Sequence, residues 1–257
     1  CMTTEELNRL LAGKFTPDLT APWDNDGIMV CADLHRPIQS VLVALDPAEM
    51  VIRYAIDNGF DALVTHHPLI FEKMGHITPT TLTGRKAILA LENHLSVLSY
   101  HTRMDAGEDG VNDALCKALW HQAEGTFGDA ENPTLGRYFT LAEPMLAGDY
   151  AMLIRDALDA GRVRITGDPQ KPVRKVALCG GDGKDFVNAA MDIGADLYLT
   201  GEAGYNMAAD AAEEGLVVVE AGHYHTEAPI CRELAAWLCR ETGLDCTPIG
   251  CCPYGYR

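Results

Sequence analysis

The chain has 257 residues, 47% hydrophobic and 22% charged, enough for one large or two smaller hydrophobic cores and unlike a disordered segment. Its 20 Lys and Arg face 37 Asp and Glu, a formal net charge of −17. That balance argues against nucleic acid as the main partner, which requires a basic face, but leaves room for a phosphorylated small molecule, because bound cations can reverse the local field.

Along the chain, Thr3 to Phe15 predicts an amphipathic helix, with Thr3-x-x-Glu6 as a capping box and Leu7, Leu10 and Leu11 on one face. A loop rich in Pro and Asp follows, from Pro17 to Asp26. Ser40 to Leu45 reads as a strand, Asp46-Pro47-Ala48-Glu49 as the cap of a helix ending at Gly59, and Ala62 to Thr65 as the next strand. Arg85 to Asn93 is helical, Ser96 to Tyr100 a strand and Val111 to Trp120 a helix. The Gly-, Asp-, Asn- and Pro-rich stretch Gly125 to Gly136 then predicts a domain boundary, giving a first domain over 1–127, completed by 225–257, and a second over 128–224.

The second half repeats the alternation. Strands are expected at Arg137 to Leu141, Val163 to Thr166, Val176 to Cys179, Leu197 to Thr200 and Leu216 to Glu220, with helices at Asp149 to Asp159, Asp185 to Ile193, Ala203 to Glu214 and Thr226 to Thr242. Such alternation means an α/β fold with mixed sheets flanked by helices. A shift of 135 positions aligns Val41 to Thr65 with Val176 to Thr200 without a gap, with Val41/Val176, Ala55/Ala190, Asp57/Asp192, Gly59/Gly194, Asp61/Asp196 and Thr65/Thr200 identical. Two related α/β halves are therefore expected, with ligands at the carboxyl ends of their strands, between the domains.

Several segments compete for that site. His66-His67 ends an apolar run just before Pro68. Adjacent side chains of an extended strand point to opposite faces, so the pair suggests two metals, or one metal and a supporting ring; the alternative is a polar loop after a buried strand. His101-Thr102-Arg103-Met104-Asp105 leaves a strand with a His and an Asp, although Asp105-Ala106-Gly107 is also a good turn. In Gly222-His223-Tyr224-His225-Thr226-Glu227, His223 and Glu227 flank a strand-to-helix turn and could reach the same cleft, with His225 outward or supporting. Here Thr226 or His225 is expected as the helix N-cap, placing Glu227 in a first turn that favours a carboxylate in any case. Gly180-Gly181-Asp182-Gly183 is a weak anion-loop signal that a tight turn would equally explain.

The nine cysteines include no C-x-x-C pair and fit reduced thiols; Cys246, Cys251 and Cys252 match no zinc-module spacing. No run of about 18 apolar residues appears, so no membrane partner is expected, and a cytoplasmic location is.

The segments Trp23-Asp24-Asn25-Asp26-Gly27, Thr65-His66-His67-Pro68-Leu69-Ile70-Phe71, His101-Thr102-x-x-Asp105, Gly110-Val111-Asn112-Asp113, Ala195 to Glu202 and Gly222-His223-Tyr224-x-Thr226-Glu227 occur in this order. In them the chain resembles the dinuclear metal centre hexameric protein family, also called GTP cyclohydrolase type-two-like. The resemblance implies that His67 and Asp105 hold one metal, His66 and His223 the other, and that Glu227 bridges them. It also implies a homo-hexamer and a hydrolase acting on a nucleotide-like or phosphorylated small molecule. Two divalent ions are expected, with zinc, iron, manganese or cobalt suiting three His and two carboxylates. His101 is the candidate general acid or base and Glu202 the candidate orienting residue. The rival reading is a non-enzymatic protein that stores or delivers metal or regulates through a partner.

Overall fold

The computed structural model describes residues 2–257, which divide into two compact units: one ending at Glu108 and resuming over Ile230–Pro253, the other Asp109–Pro229 with Tyr254–Arg257. The division falls earlier than the loop expected to mark it. Helix α5 (Val111–Ala118) belongs to the second unit, because Leu115, Cys116 and Leu119 pack into the same core as Phe139 and Tyr150.

The first unit has a five-stranded sheet. Its centre is β4 (Ser40–Ala44), β5 (Ala62–Thr65) and β6 (Ser96–Ser99), all parallel. One edge is the antiparallel β2 (Gly27–Val30), and the other is the C-terminal β13 (Asp245–Pro248), parallel to β4. A short antiparallel pair, β1 (Met2–Thr3) with β3 (Pro37–Ile38), stands apart. The centre strands are almost wholly buried and carry apolar residues apart from Ser or Thr at their ends, as suits strands covered on both faces. Leu42, Leu63 and Val97 pack against Val51, Ile52 and Ala55 of helix α2 (Glu49–Asp57) and Ala87 and Ala90 of α3 (Leu82–Glu92). Each such buried Leu, Ile or Val contributes about 1.5–3 kcal/mol. Helix α1 (Thr4–Lys14) begins with the expected capping box, Thr3 and Glu6 bonding each other's backbone N–H.

The second unit has a six-stranded sheet: β7 (Gly125–Phe127), β8 (Gly136–Leu146), β10 (Pro172–Asp182), β11 (Leu197–Glu202), β12 (Val217–Glu220) and β9 (Arg164–Thr166), in that spatial order. Strands β10, β11 and β12 are parallel, and β9 closes the edge antiparallel. Side chains alternate between two cores. Val176 and Leu178 pack with Tyr150 and Ile154 of α6 (Ala147–Ala157), while Ala177 and Cys179 face Val187 and Ala190 of α7 (Val187–Asp192) and Ala208 and Ala211 of α8 (Tyr205–Glu213).

The sequence echo is a structural one. Val41 pairs with Ala62 in the first sheet, and Val176 pairs with Leu197 in the second, the same register displaced by the same interval. The repeated aspartate does the same work in both. Asp61 accepts the backbone N–H of Gln39 (2.8 Å), and Asp196 accepts those of Arg174 and Lys175 (2.9 Å each), fastening the start of the neighbouring strand.

Several elements differ from expectation. Strands β2, β7 and β13 were unread because they are short and lack clean alternation. Strands β8 and β10 run beyond their apolar stretches, pairing Leu146 with Pro172 where burial no longer shapes the sequence. The helix expected over Thr226 to Thr242 is two helices, α9 (His223–Glu227) and α10 (Pro229–Thr242), since proline favours the first turn of a new helix over the interior of an old one. Among the described residues no helix is long and apolar enough to cross a membrane.

Replacing Asp196 or Asp61 with Ala leaves strand-edge N–H groups unmet. Each substitution is expected to cost about 1–3 kcal/mol in urea unfolding; an unchanged midpoint in both would refute the fastening role.

Candidate metal centre

The candidate residues sit just past the carboxyl ends of parallel strands. His66 and His67 follow β5, His101 follows β6, and Asp105 lies in the short helix α4 (Thr102–Ala106). In the second unit Glu202 ends β11, and His223 opens α9 after β12, with Glu227 closing that helix.

His66 and His67 do not part to opposite faces. The strand stops at Thr65, whose hydroxyl donates to the His67 carbonyl (2.7 Å), and this turn brings the two rings to 5.0 Å between centroids. The His101 ring lies 5.3 Å from His66 and 5.7 Å from His67. Each of the three rings offers a nitrogen within 4.8 Å of the others', so His101 joins the pair as a potential ligand as well as a potential acid or base.

The tautomers follow from what holds each ring. Nδ1 of His66 is 3.0 Å from the Tyr100 carbonyl oxygen, which can only accept, so Nδ1 carries the proton and Nε2 presents its lone pair. That Nε2 lies 3.2 Å from the Asp105 carboxylate, and His66 is 1% exposed. Nδ1 of His67 meets Asp46 at 2.6 Å. Asp46 thus serves His67 rather than capping α2, whose N-cap is Ala48 with no side-chain bond. Nδ1 of His101 meets Asp24 at 2.9 Å, and the same carboxylate accepts the backbone N–H and hydroxyl of Thr102 at 2.9 and 2.7 Å. Burial pushes the Asp24 carboxyl up, but the bonds from His101 and Thr102 outweigh it and hold the group at about 2. Trp23 and Phe71, both half-exposed, pack edge-on to His101, each 6.2 Å away.

In the second unit Nε2 of His223 lies 3.1 Å from Glu227, and its Nδ1 lies 3.4 Å from Glu202. The bond to Glu227, opposed by burial and helped by Glu202, pushes the imidazole up to about 9. Glu202 thus lies on the Nδ1 side of the ring, opposite Glu227. The helix cap is Gly222 rather than Thr226 or His225, so Glu227 is not in a first turn, and no dipole argument explains it. Thr226 instead donates its hydroxyl to Gly222 (2.9 Å) and His223 (3.1 Å), tightening the turn.

The glycine run proves to be packing space. Strand β10 continues to Asp182 through a register shift, and the N–H groups of Gly180, Gly181 and Gly183 bond Asn112 (2.8 Å), Thr226 (3.0 Å) and the Glu202 carbonyl (3.2 Å), so the three are spent within the protein rather than offered to an anion. A Cβ on Gly181, whose φ is +70°, would stand 2.2 Å from the Glu227 carboxylate and 3.1 Å from His223 Nε2. The polar residues of other matched motifs are engaged in structural pairs. Asn112 bridges Gly180 and the Leu135 carbonyl, Asp113 pairs with Arg137 (2.8 Å), and Asp26 pairs with Arg103 (2.8 Å). Asp24 and Asp46 carried a legible signal only in retrospect, as acidic residues with no apolar periodicity to explain them.

These clusters of His with Asp or Glu could hold a metal. Imidazoles whose Nδ1 is anchored and whose Nε2 is offered fit a divalent cation, and the missing side chain of Gly181 leaves room for the Glu227 carboxylate beside His223. Gly181→Ala is expected to destabilise by about 1–3 kcal/mol beyond the left-handed backbone cost alone. The control is Gly194→Ala, at φ +75° with nothing within 4 Å of the new methyl. Equal losses in denaturant unfolding would show that no such space is needed.

The sequence matches the Duf34/NIF3 (NGG1p interacting factor 3) family over residues 2–249. A Clostridium perfringens protein named GTP cyclohydrolase 1 type 2 homolog is 35% identical over 218 residues, covering 83% of this chain and 82% of the relative. Among solved structures, Staphylococcus aureus protein SA1388 superposes with a TM-score of 0.90 at 22% identity, over 100% of this chain and 99% of its own, a likeness of fold. Reduced HcgD from Methanocaldococcus jannaschii gives a TM-score of 0.82 at 26% identity, over 97% and 98%. A family match spanning nearly the whole length, joined to a relative above 30% identity and to this fold, places the chain in the Duf34/NIF3 family.

Proposed function

We propose that the chain is a metal-dependent hydrolase of a nucleotide-like or phosphorylated small molecule. In this reading two divalent ions are held by His66, His67, Asp105, His223 and Glu227, in the assignment the family resemblance implies. The observation that carries it is the shared anchoring of the four histidines. Nδ1 of each meets an oxygen, from Tyr100, Asp46, Asp24 or Glu202, so that Nε2 is the atom turned to the work. That arrangement supports metal ligation, since an oxygen that accepts from the far N–H of a ligating imidazole fixes its tautomer and raises its basicity.

Bound ions would supply hydroxide near neutral pH and a clamp for the developing charge. The remaining steps fall to the chain. Glu227, buried against Gly181, holds its carboxylate in one place, and Glu202 steadies His223. His101, aimed by Asp24, moves a proton at Nε2. Trp23 and Phe71 shield that ring from water on one side. Assembly as a homo-hexamer belongs to the same proposal and is checked by mass photometry.

Metal analysis of gently purified protein is expected to find about two ions per chain, with Glu227→Ala and His67→Ala losing at least one. Fewer than one ion in the wild type sinks the reading. Asp46→Ala should weaken metal affinity about 10–100-fold without unfolding the protein. In a screen of nucleotides and phosphoesters, His101→Ala is expected to retain metal yet lose about a hundredfold in rate. Full metal occupancy with no turnover above the variants would overturn the hydrolase and favour metal delivery.

A further inference from the structure

We infer that a second-unit cleft lined by Arg162, Arg164, Glu202, His223, Tyr254 and Tyr256 binds a phosphorylated heteroaromatic compound of nucleotide size. The inference deepens the proposed function and rests on it for the role of His223 at the cleft wall.

The cleft has a volume of about 630 Å³, within the roughly 300–1,000 Å³ typical of small-molecule sites. Its wall is chemically unusual for this chain. Against a net charge of −17, two arginines two positions apart line one cavity, as extended backbone before and in β9 allows. Two guanidinium groups can divide the oxygens of a phosphate, whereas one would satisfy a carboxylate. Two carboxylates share this wall: Glu220 accepts the Ala203 N–H at 2.9 Å and approaches Arg164 only to 3.8 Å, longer than a hydrogen bond, and Glu202 lies against His223.

The aromatic side is built rather than incidental. The rings of His225 and Tyr254 stand 5.9 Å apart, as do those of Tyr254 and Tyr256, and the Arg162 guanidinium lies 3.8 Å over the Tyr256 ring. This ladder joins the turn that carries His223 to the segment that carries the arginines. It is also why Tyr254–Arg257 belongs to the second unit. Gly222 makes the approach possible, since a Cβ there, at φ +93°, would meet the Tyr254 hydroxyl at 2.5 Å. A guanidinium held over the Tyr256 ring keeps its N–H donors available in its own plane, and the half-exposed tyrosines offer a surface to a planar ring. A ligand bridging both features would bring its phosphate end and its ring within one cavity, beside a proposed metal ligand.

The test is calorimetric titration of the full chain, metal-loaded, with adenosine 5′-monophosphate, cytidine 5′-monophosphate, adenosine and inorganic phosphate, with metal content measured on the same samples. At least one monophosphate is expected to bind once per chain, about tenfold or more tighter than adenosine or phosphate. Arg164→Ala and Tyr254→Leu should each weaken it about tenfold, with Arg164→Lys recovering part of the loss, and all three should keep wild-type metal content. The inference is overturned if neither nucleotide outcompetes inorganic phosphate, or if both substitutions leave affinity unchanged. Metal content near zero with Arg164-dependent nucleotide binding would instead defeat the dinuclear reading and leave the cleft standing.

Discussion

The arrangement of the candidate site depends on one recurring constraint, an oxygen at Nδ1 of each of its four histidines. An imidazole on a loop can rotate and exchange tautomers, and either freedom removes the lone pair from where it is wanted. Here a backbone carbonyl and three carboxylates take that freedom away. The choice of oxygen differs with depth. His66, almost fully buried, uses the neutral Tyr100 carbonyl, whereas the more exposed rings use carboxylates, whose charge is cheaper to keep near water. Asp24 shows the limit of that economy: its side chain is fully buried, yet three contacts from His101 and Thr102 keep it ionised.

Such precision needs rigid supports, and the strand ends provide them. The Tyr100 carbonyl is available because Tyr100 follows β6 and its own N–H bonds Thr65, the residue before His66. Strand pairing and ring orientation are therefore one structure: a slip in the β5–β6 register would move the carbonyl away from the ring. The same logic operates in the second unit. Thr200 ends the parallel stretch, its carbonyl receives the Ala221 N–H, and its hydroxyl bonds the Gly181 carbonyl beside the Glu227 pocket.

Much of this was legible in the sequence. Alternating apolar runs and helical stretches predicted the parallel strands, and the identities of the 135-residue echo, Asp61/Asp196 and Thr65/Thr200 among them, predicted two related halves. What escaped had weak or shared signals. Edge strands β2 and β13 carry too few buried residues for periodicity to mark them. Asp46 before a helix reads as a cap in any sequence, and only the fold shows its carboxylate turned to His67. The opposite-face expectation for His66 and His67 failed because it assumed strand geometry one residue beyond where the strand ends. Glu227 was read through the wrong helix start, since the cap lies at Gly222.

The glycine run shows why residue type underdetermines chemistry at such places. A glycine-rich segment after a strand can expose N–H groups to an anion or make room for another side chain, and both demand the same letters. Hydrogen-bond accounting separates them. Once the amides of Gly180, Gly181 and Gly183 are spent on Asn112, Thr226 and Glu202, what remains is the missing Cβ. The carboxylate of Glu227 occupies the room that this absence creates, within 3.1 Å of His223 Nε2. With Glu220 held by the Ala203 N–H and Glu202 lying against His223, Glu227 is a buried carboxylate whose charge is met by the His223 imidazolium, a pairing whose desolvation cost a bound cation would offset.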